Sequence, residues 1–171
     1  MTEHLDSLLP RNNLLTCLRK PDIDLIYPHF KAVSSDANQL LYDPGQGIET
    51  VYFPCANATV SFLVSADDGH IVETLIVGRE GAVGGIVSHG HLPAYTRIMV
   101  QQGGTFLALP VSVLDGAKKE SRTLDNLFAR YADCMLAQIF QATACNATHS
   151  IEQRTARWIL AAAERTESLE I

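Results

Sequence analysis

Leu75-Ile-Val-Gly-Arg-Glu-Gly-Ala-Val-Gly-Gly-Ile86 passes from an apolar, β-branched run straight into a cluster of glycines. Residues 74–77 predict a buried strand, because threonine, leucine, isoleucine and valine suit a pleated, packed surface. Gly78, Gly81, Gly84 and Gly85 then fall within eight positions. Glycine is used where the backbone needs φ > 0 or where another group must approach closely. Consecutive backbone N–H groups in such a bend also make a concavity that suits an anion. The stretch therefore predicts a sharp barrel corner, a ligand cradle, or both.

The flanks of this stretch predict more strands. Before it, Gln39-Leu-Leu-Tyr42 leads into the turn Asp43-Pro-Gly-Gln-Gly47, and Val51-Tyr-Phe53 is closed by Pro54. Residues 58–64 are β-branched and apolar, and Asp67-Asp-Gly69 is a hairpin signal before the return strand at 71–77. After it, residues 95–101 and 105–109 form a last pair joined by Gln102-Gly-Gly104. Short strands at regular turns predict a sandwich or barrel rather than a parallel sheet.

Helices are predicted at both ends. Leu14, Leu15 and Leu18 take helical spacing over residues 11–18, with Asn12 or Asn13 as N-cap. Residues 21–27 open with a proline and two aspartates, which suit a helix N-terminus. Ser112 is read as the cap of a short helical turn at 113–117. Residues 121–145 contain neither glycine nor proline, and Leu124, Leu127, Phe128, Tyr131, Met135, Ile139 and Ala142 follow steps of three and four. About 25 helical residues reach about 37 Å, longer than one small barrel needs. The near-heptad stripe predicts a homodimer with Leu124, Phe128, Tyr131, Met135 and Ile139 at its interface. Ser150-Ile-Glu-Gln153 matches a capping box and opens a further helix. Ile151, Trp158, Ile159 and Ala162 are expected on one apolar face of it, with nothing in the chain to cover them.

Composition bounds the function. The 171 residues suit one domain with an appendage, and 47% hydrophobic against 19% charged residues supports a buried core. A net charge of −6 argues against this chain gripping nucleic acid by itself. There is no 18-residue apolar run and no basic-then-apolar leader, so no membrane partner and a cytoplasmic location are expected. Cys17, Cys55, Cys134 and Cys145 form no C-x-x-C pair and are expected to be buried free thiols. No catalytic constellation, metal site or cofactor is expected, and the chain is not read as an enzyme.

The order of these parts resembles the Crp/Fnr family of bacterial transcription regulators. The resemblance rests on Leu41-Tyr-Asp-Pro-Gly45, Ile48-Glu-Thr-Val-Tyr-Phe-Pro54, Val77-Gly-Arg-Glu-Gly-Ala-Val-Gly84 and Ser150-Ile-Glu-Gln-Arg-Thr-Ala-Arg-Trp-Ile-Leu160, in that order and at that spacing. It implies a mainly β chain: a double-stranded β-helix (jelly-roll) effector domain with N-terminal helices at 1–117, and a long dimerisation helix at 118–146. Residues 147–171 would hold the first helix of a helix-turn-helix DNA-binding domain whose remainder is absent from this chain. DNA, a second copy of the chain and an unknown small-molecule effector are the partners it implies.

Family members that bind a cyclic nucleotide carry a Gly-Glu pair at the glycine stretch and an Arg-Ser or Arg-Thr pair before a later strand. Here Gly84 matches the glycine, Gly85 replaces the glutamate, Ala94 falls at the arginine position and Tyr95 at the hydroxyl position. Arg97 lies three residues on. Gly84, Gly85, Tyr95 and Arg97 are thus the candidate effector-pocket residues, and a cyclic nucleotide is not the expected ligand, because its phosphate would be buried unpaired. His89-Gly-His91 resembles the metal motif of cupins, which share the jelly roll, but no carboxylate follows it in Leu92-Pro-Ala-Tyr-Thr96. A cupin-like metal-dependent enzyme and a ligand-free dimeric scaffold remain the alternative readings, and haem held by a histidine is an alternative effector mode.

Overall fold

The computed structural model describes residues 2–86 and 92–166. Three short helices come first: α1 (Thr2–Leu8), α2 (Asn13–Thr16) and α3 (Lys20–Ile26). Asn12 caps α2, its side-chain oxygen accepting the Leu15 N–H at 3.0 Å. Among the described residues seven strands follow: β1 (Lys31–Ser35), β2 (Leu40–Tyr42), β3 (Thr50–Pro54), β4 (Thr59–Ser65), β5 (Ile71–Val77), β6 (Arg97–Gln102) and β7 (Gly104–Pro110). They form two antiparallel sheets, ordered β1-β7-β3 and β2-β6-β4-β5. The hairpin expected at Asp67-Asp-Gly69 joins β4 to β5, with Gly69 at φ +85°. β1 has no apolar run of its own in Lys31-Ala-Val-Ser-Ser35; its place comes from pairing with β7, where Lys31 faces Ala108 and Ser35 faces Gly104.

Strand alternation makes two cores from one sheet. In β7, Phe106 faces the space between the sheets while Leu107 and Leu109 face the helices; in β3, Tyr52 and Phe53 divide the same way. Val60, Val77, Val83, Ile98 and Val100 fill the inter-sheet core. Leu14, Leu15, Ile26 and Phe30 close the other face of the three-stranded sheet.

Three helices follow the barrel: α4 (Val111–Glu120), α5 (Arg122–Thr148) and α6 (Ile151–Arg165). The short turn expected at 113–117 is therefore a full helix. Its start is set by Pro110, whose φ of −58° leads the chain directly into Val111, and not by a Ser112 cap. Ser121 caps α5 by accepting the Leu124 N–H, and its hydroxyl donates to the buried carboxylate of Asp22 on α3. The Ser150–Gln153 capping box opens α6 as the sequence predicts. Among the described residues no helix is long and apolar enough to cross a membrane.

The first half of α5 belongs to this core. Leu124, Phe128 and Tyr131 are 0%, 1% and 9% exposed. Phe128 meets Phe53 edge-on at 6.3 Å, and Phe53 meets Phe30 at 5.5 Å. This corrects the expectation that these three residues form a dimer interface: their own barrel has already taken their apolar surface out of water. The expectation for α6 is corrected as well. Trp158 and Ala162 turn inward to the barrel, while Ile151 and Ile159 stay 69% and 47% exposed.

Candidate functional site

The glycine stretch turns at the end of β5, and most of its glycines are there for close approach. A Cβ on Gly81 would lie 1.9 Å from the Tyr131 hydroxyl oxygen. That hydroxyl accepts the Ala82 N–H at 3.0 Å and donates to the Ala82 carbonyl at 3.1 Å, fastening the stretch to α5. Val83 then exchanges two backbone hydrogen bonds with Tyr52, each 2.9 Å. Gly84 has φ +95°, and a Cβ there would stand 2.4 Å from the Thr50 carbonyl oxygen. Gly85 has φ +53° and lies against Val111 and Ile48. The Tyr42 hydroxyl donates to the same Thr50 carbonyl and accepts the Thr50 N–H.

Asn12 ties the beginning of the chain to this corner. It is fully buried, and its amide nitrogen donates to the Pro54 and Gly81 carbonyls, both at 2.8 Å. The sequence marked Asn12 only as a helix cap. A buried carboxamide with three partners that join three segments is a tertiary feature, and spacing along the chain carries no signal of it.

Beyond the corner lies a cavity of about 460 Å³. Its barrel side is formed by Ile48, Phe62, Val83, Gly84, Gly85, Ile86, Ala94, Tyr95, Thr96 and Ile98. Its other wall is α5, through Ala132, Met135, Leu136 and Ile139. None of the described residues lining it carries a charge. Gly84, Gly85 and Tyr95 all line this cavity, with Tyr95 at the rim and 74% exposed. Met135 and Ile139 line this cavity too, a role the spacing along α5 did not distinguish from an interface.

Arg97 is not among the lining residues, which corrects its assignment as a pocket residue. It opens β6, and alternation turns its neighbour Ile98 into the core, 4% exposed, and Arg97 away from it. Its Nε donates to Asp43 at 2.8 Å, and that carboxylate raises the guanidinium pKa further. Ala94, at the expected arginine position, is 4% exposed and exchanges backbone hydrogen bonds with the 45–46 turn.

One buried cation stands beside the corner. Lys118 of α4 is 5% exposed, donates to the Ile86 carbonyl and lies 5.0 Å from the centre of the Phe128 ring. Burial lowers its pKa. It is spent on holding the backbone where the lining segment leaves the core. Among the cysteines, Cys55 and Cys145 are buried as expected, and burial pushes the Cys55 thiol up to about 11. Cys17 and Cys134 are exposed instead, one capping the end of α2 and one on the outer side of α5. Among the described residues no group of three or more His, Cys, Asp or Glu comes together as a metal site. His89 and His91 lie outside the described residues.

Along another side of α5, a groove of about 940 Å³ lies between it, β5 and α6. Its lining mixes apolar residues such as Leu75, Ile76 and Ile151 with Gln138, Gln141, Arg154 and Arg157. Two sets of contacts join α6 to the barrel beside it. The Trp158 indole N–H donates to Glu73 at 2.7 Å, while the Ser61 hydroxyl holds the other oxygen of that carboxylate at 2.6 Å. Arg165 pairs with Glu80 at 2.8 Å and donates to the Ile76 carbonyl and to Gln138. A Cβ on Gly78 would lie 2.7 Å from the Arg165 Cβ, so the glycine lets α6 lie close.

No family model and no curated protein matches this sequence significantly. Solved structures of similar fold do exist. The c-di-GMP responsive global regulator CLP of Xanthomonas campestris aligns with a TM-score of 0.65 at 14% identity, over 88% of this chain and 75% of that one. The N-terminal domain of a transcriptional regulator from Streptomyces coelicolor A3(2) aligns with a TM-score of 0.56 at 18% identity, over 79% and 94%. The regulatory domain of Toxoplasma gondii PKA, solved with cAMP, aligns with a TM-score of 0.56 at 16% identity, over 68% of this chain and 44% of that one. This chain therefore spans less than half the length of the Toxoplasma chain. At such identities the likeness shows the fold, a jelly roll of the cyclic-nucleotide-binding type with flanking helices and a long C-terminal helix.

Proposed function

We propose that this jelly roll and its long helix are the sensory and dimerising part of a bacterial transcription regulator of the Crp/Fnr type. The observation that carries the reading is the shared cavity: one wall is the barrel corner at Val83–Ile86, the other is α5. A molecule bound there touches both, so it can favour one arrangement of barrel and helix over another, which is what an effector must do. Residues 1–117 then act as the effector domain and 118–146 as the dimerising helix. Residues 147–171 open a DNA-binding domain that lies beyond this chain.

Dimerisation in this reading uses the outer side of α5. Leu136 and Phe140 are 50% and 68% exposed, and Ala144 continues their spacing. Two copies related by a two-fold axis would cover this strip with itself. Leu136 both lines the cavity and stands on the strip, so a ligand would act on the dimer through it. The Streptomyces and Xanthomonas regulators lend support as proteins of the same fold that are described as regulators.

The test is a mobility shift on DNA upstream of the gene, at matched salt, with this chain and with the complete gene product. Sequence-specific retention is expected from the complete product alone, because this reading puts the recognition helix outside the 171 residues and a net charge of −6 gives phosphates little to hold. Tight, specific retention by the 171-residue chain, none by the complete product, or a gene that ends at residue 171 would each contradict the reading.

A further inference from the structure

The cavity that the proposed function treats as an effector site has a chemistry of its own, and the following step rests on that reading. We infer that its ligand is an uncharged, largely apolar small molecule, oriented by Tyr95 and Thr96 at the rim. Its volume of about 460 Å³ lies within the usual range of small-molecule sites. The described lining is aliphatic and aromatic, with Phe62, Ile98 and Ile139 facing the space and Met135 offering a soft, adaptable surface. The polar side chains of the described lining are Tyr95 and Thr96, adjacent at the mouth.

An anionic ligand would meet the wrong surroundings. A buried phosphate or carboxylate needs a cation or several donors, and leaving it unpaired is strongly unfavourable. Among the described residues, Arg97 is engaged with Asp43, Lys118 with the Ile86 carbonyl, and Arg165 with Glu80. A cationic ligand fares no better, since no described lining residue is a carboxylate. Burial of apolar surface is the driving force the site offers, with one or two hydrogen bonds at the rim to fix orientation.

The probe is N-phenyl-1-naphthylamine, a neutral dye that fluoresces when it leaves water. The expected result is saturable binding of one dye per chain, insensitive to added salt and to excess cyclic AMP or cyclic GMP. Ile139→Trp and Ala132→Phe fill the cavity from α5 and should each weaken the dye by about tenfold or more, the equivalent of one good apolar contact. Circular dichroism checks that both variants fold, and Leu160→Ser on the exposed side of α6 should leave binding unchanged. Absence of saturable binding would overturn the inference, as would binding that survives both cavity-filling variants or that disappears with Leu160→Ser. Calorimetric binding of either cyclic nucleotide in the micromolar range would overturn it too. Specific DNA retention by the complete product without dye binding removes this inference and leaves the regulator reading standing. Dye binding with no DNA retention supports the inference and removes the regulator reading.

Discussion

From Arg122 to Tyr131, α5 lies against the three-stranded sheet with Leu124 and Phe128 fully buried; beyond it, Ala132, Met135, Leu136 and Ile139 line a cavity while Phe140 is 68% exposed. Both halves carry apolar residues three and four apart. That spacing identifies a helix with a sticky side, and it says nothing about what covers the side. In the first half the cover is the chain's own β3 and α3. In the second half a cavity lies on one face, Leu136 and Phe140 stay uncovered on another, and Cys145 is buried again near the end.

The sharpest separation of the halves is a pair of truncations. Phe128→Ala should cost about 3–5 kcal/mol in urea unfolding, because it empties a packed aromatic site between Phe53 and Lys118. Phe140→Ala should change fold stability by no more than about 0.5 kcal/mol when both are measured on monomeric protein. Equal losses would break the distinction.

Tyr131 marks the boundary, and burial pushes its phenol pKa up. Tyr131→Phe removes both hydrogen bonds to Ala82 and leaves that buried N–H and carbonyl unpaired, so about 1–3 kcal/mol of stability should be lost. A melt unchanged from wild type would mean that the corner does not depend on the helix.

The start of the buried half should respond to acid. Asp22 accepts hydrogen bonds from Ser121, Thr123 and Arg19, and the Ser121 bond, foremost, holds its carboxyl below the usual aspartate value despite its burial. A depressed folded pKa gives stability that is present above the unfolded value of about 3.9 and is lost as pH falls through the folded one. Asp22→Asn should therefore flatten the dependence of stability on pH below about 4, a smaller effect than either truncation in the core. An unaltered acid limb would show that the carboxylate contributes nothing there.

Much of the architecture was legible because local chemistry agreed with it. Turns at Asp43-Pro-Gly45 and Asp67-Asp-Gly69, the Ser150–Gln153 box and the crowding at Gly84 all place residue types where backbone geometry demands them. The parts that were not legible depend on distant partners. β1 is a strand because β7 pairs with it. Arg97 looked available until the 43–47 turn brought Asp43 beside it, 54 positions away. The glycines and Tyr95 could be marked from their places beside a strand end, but the facing wall of Ala132 and Met135 comes from a helix whose contacts appear only in three dimensions.

Light scattering on the wild-type chain and on Phe140→Asp tests most directly whether the second half of α5 serves a partner. The wild type should be a dimer at micromolar concentration. Phe140→Asp should be a folded monomer, since a carboxylate would be buried unpaired at a two-fold contact while the barrel core is untouched. A monomeric wild type, or a Phe140→Asp chain that stays dimeric, would contradict the account.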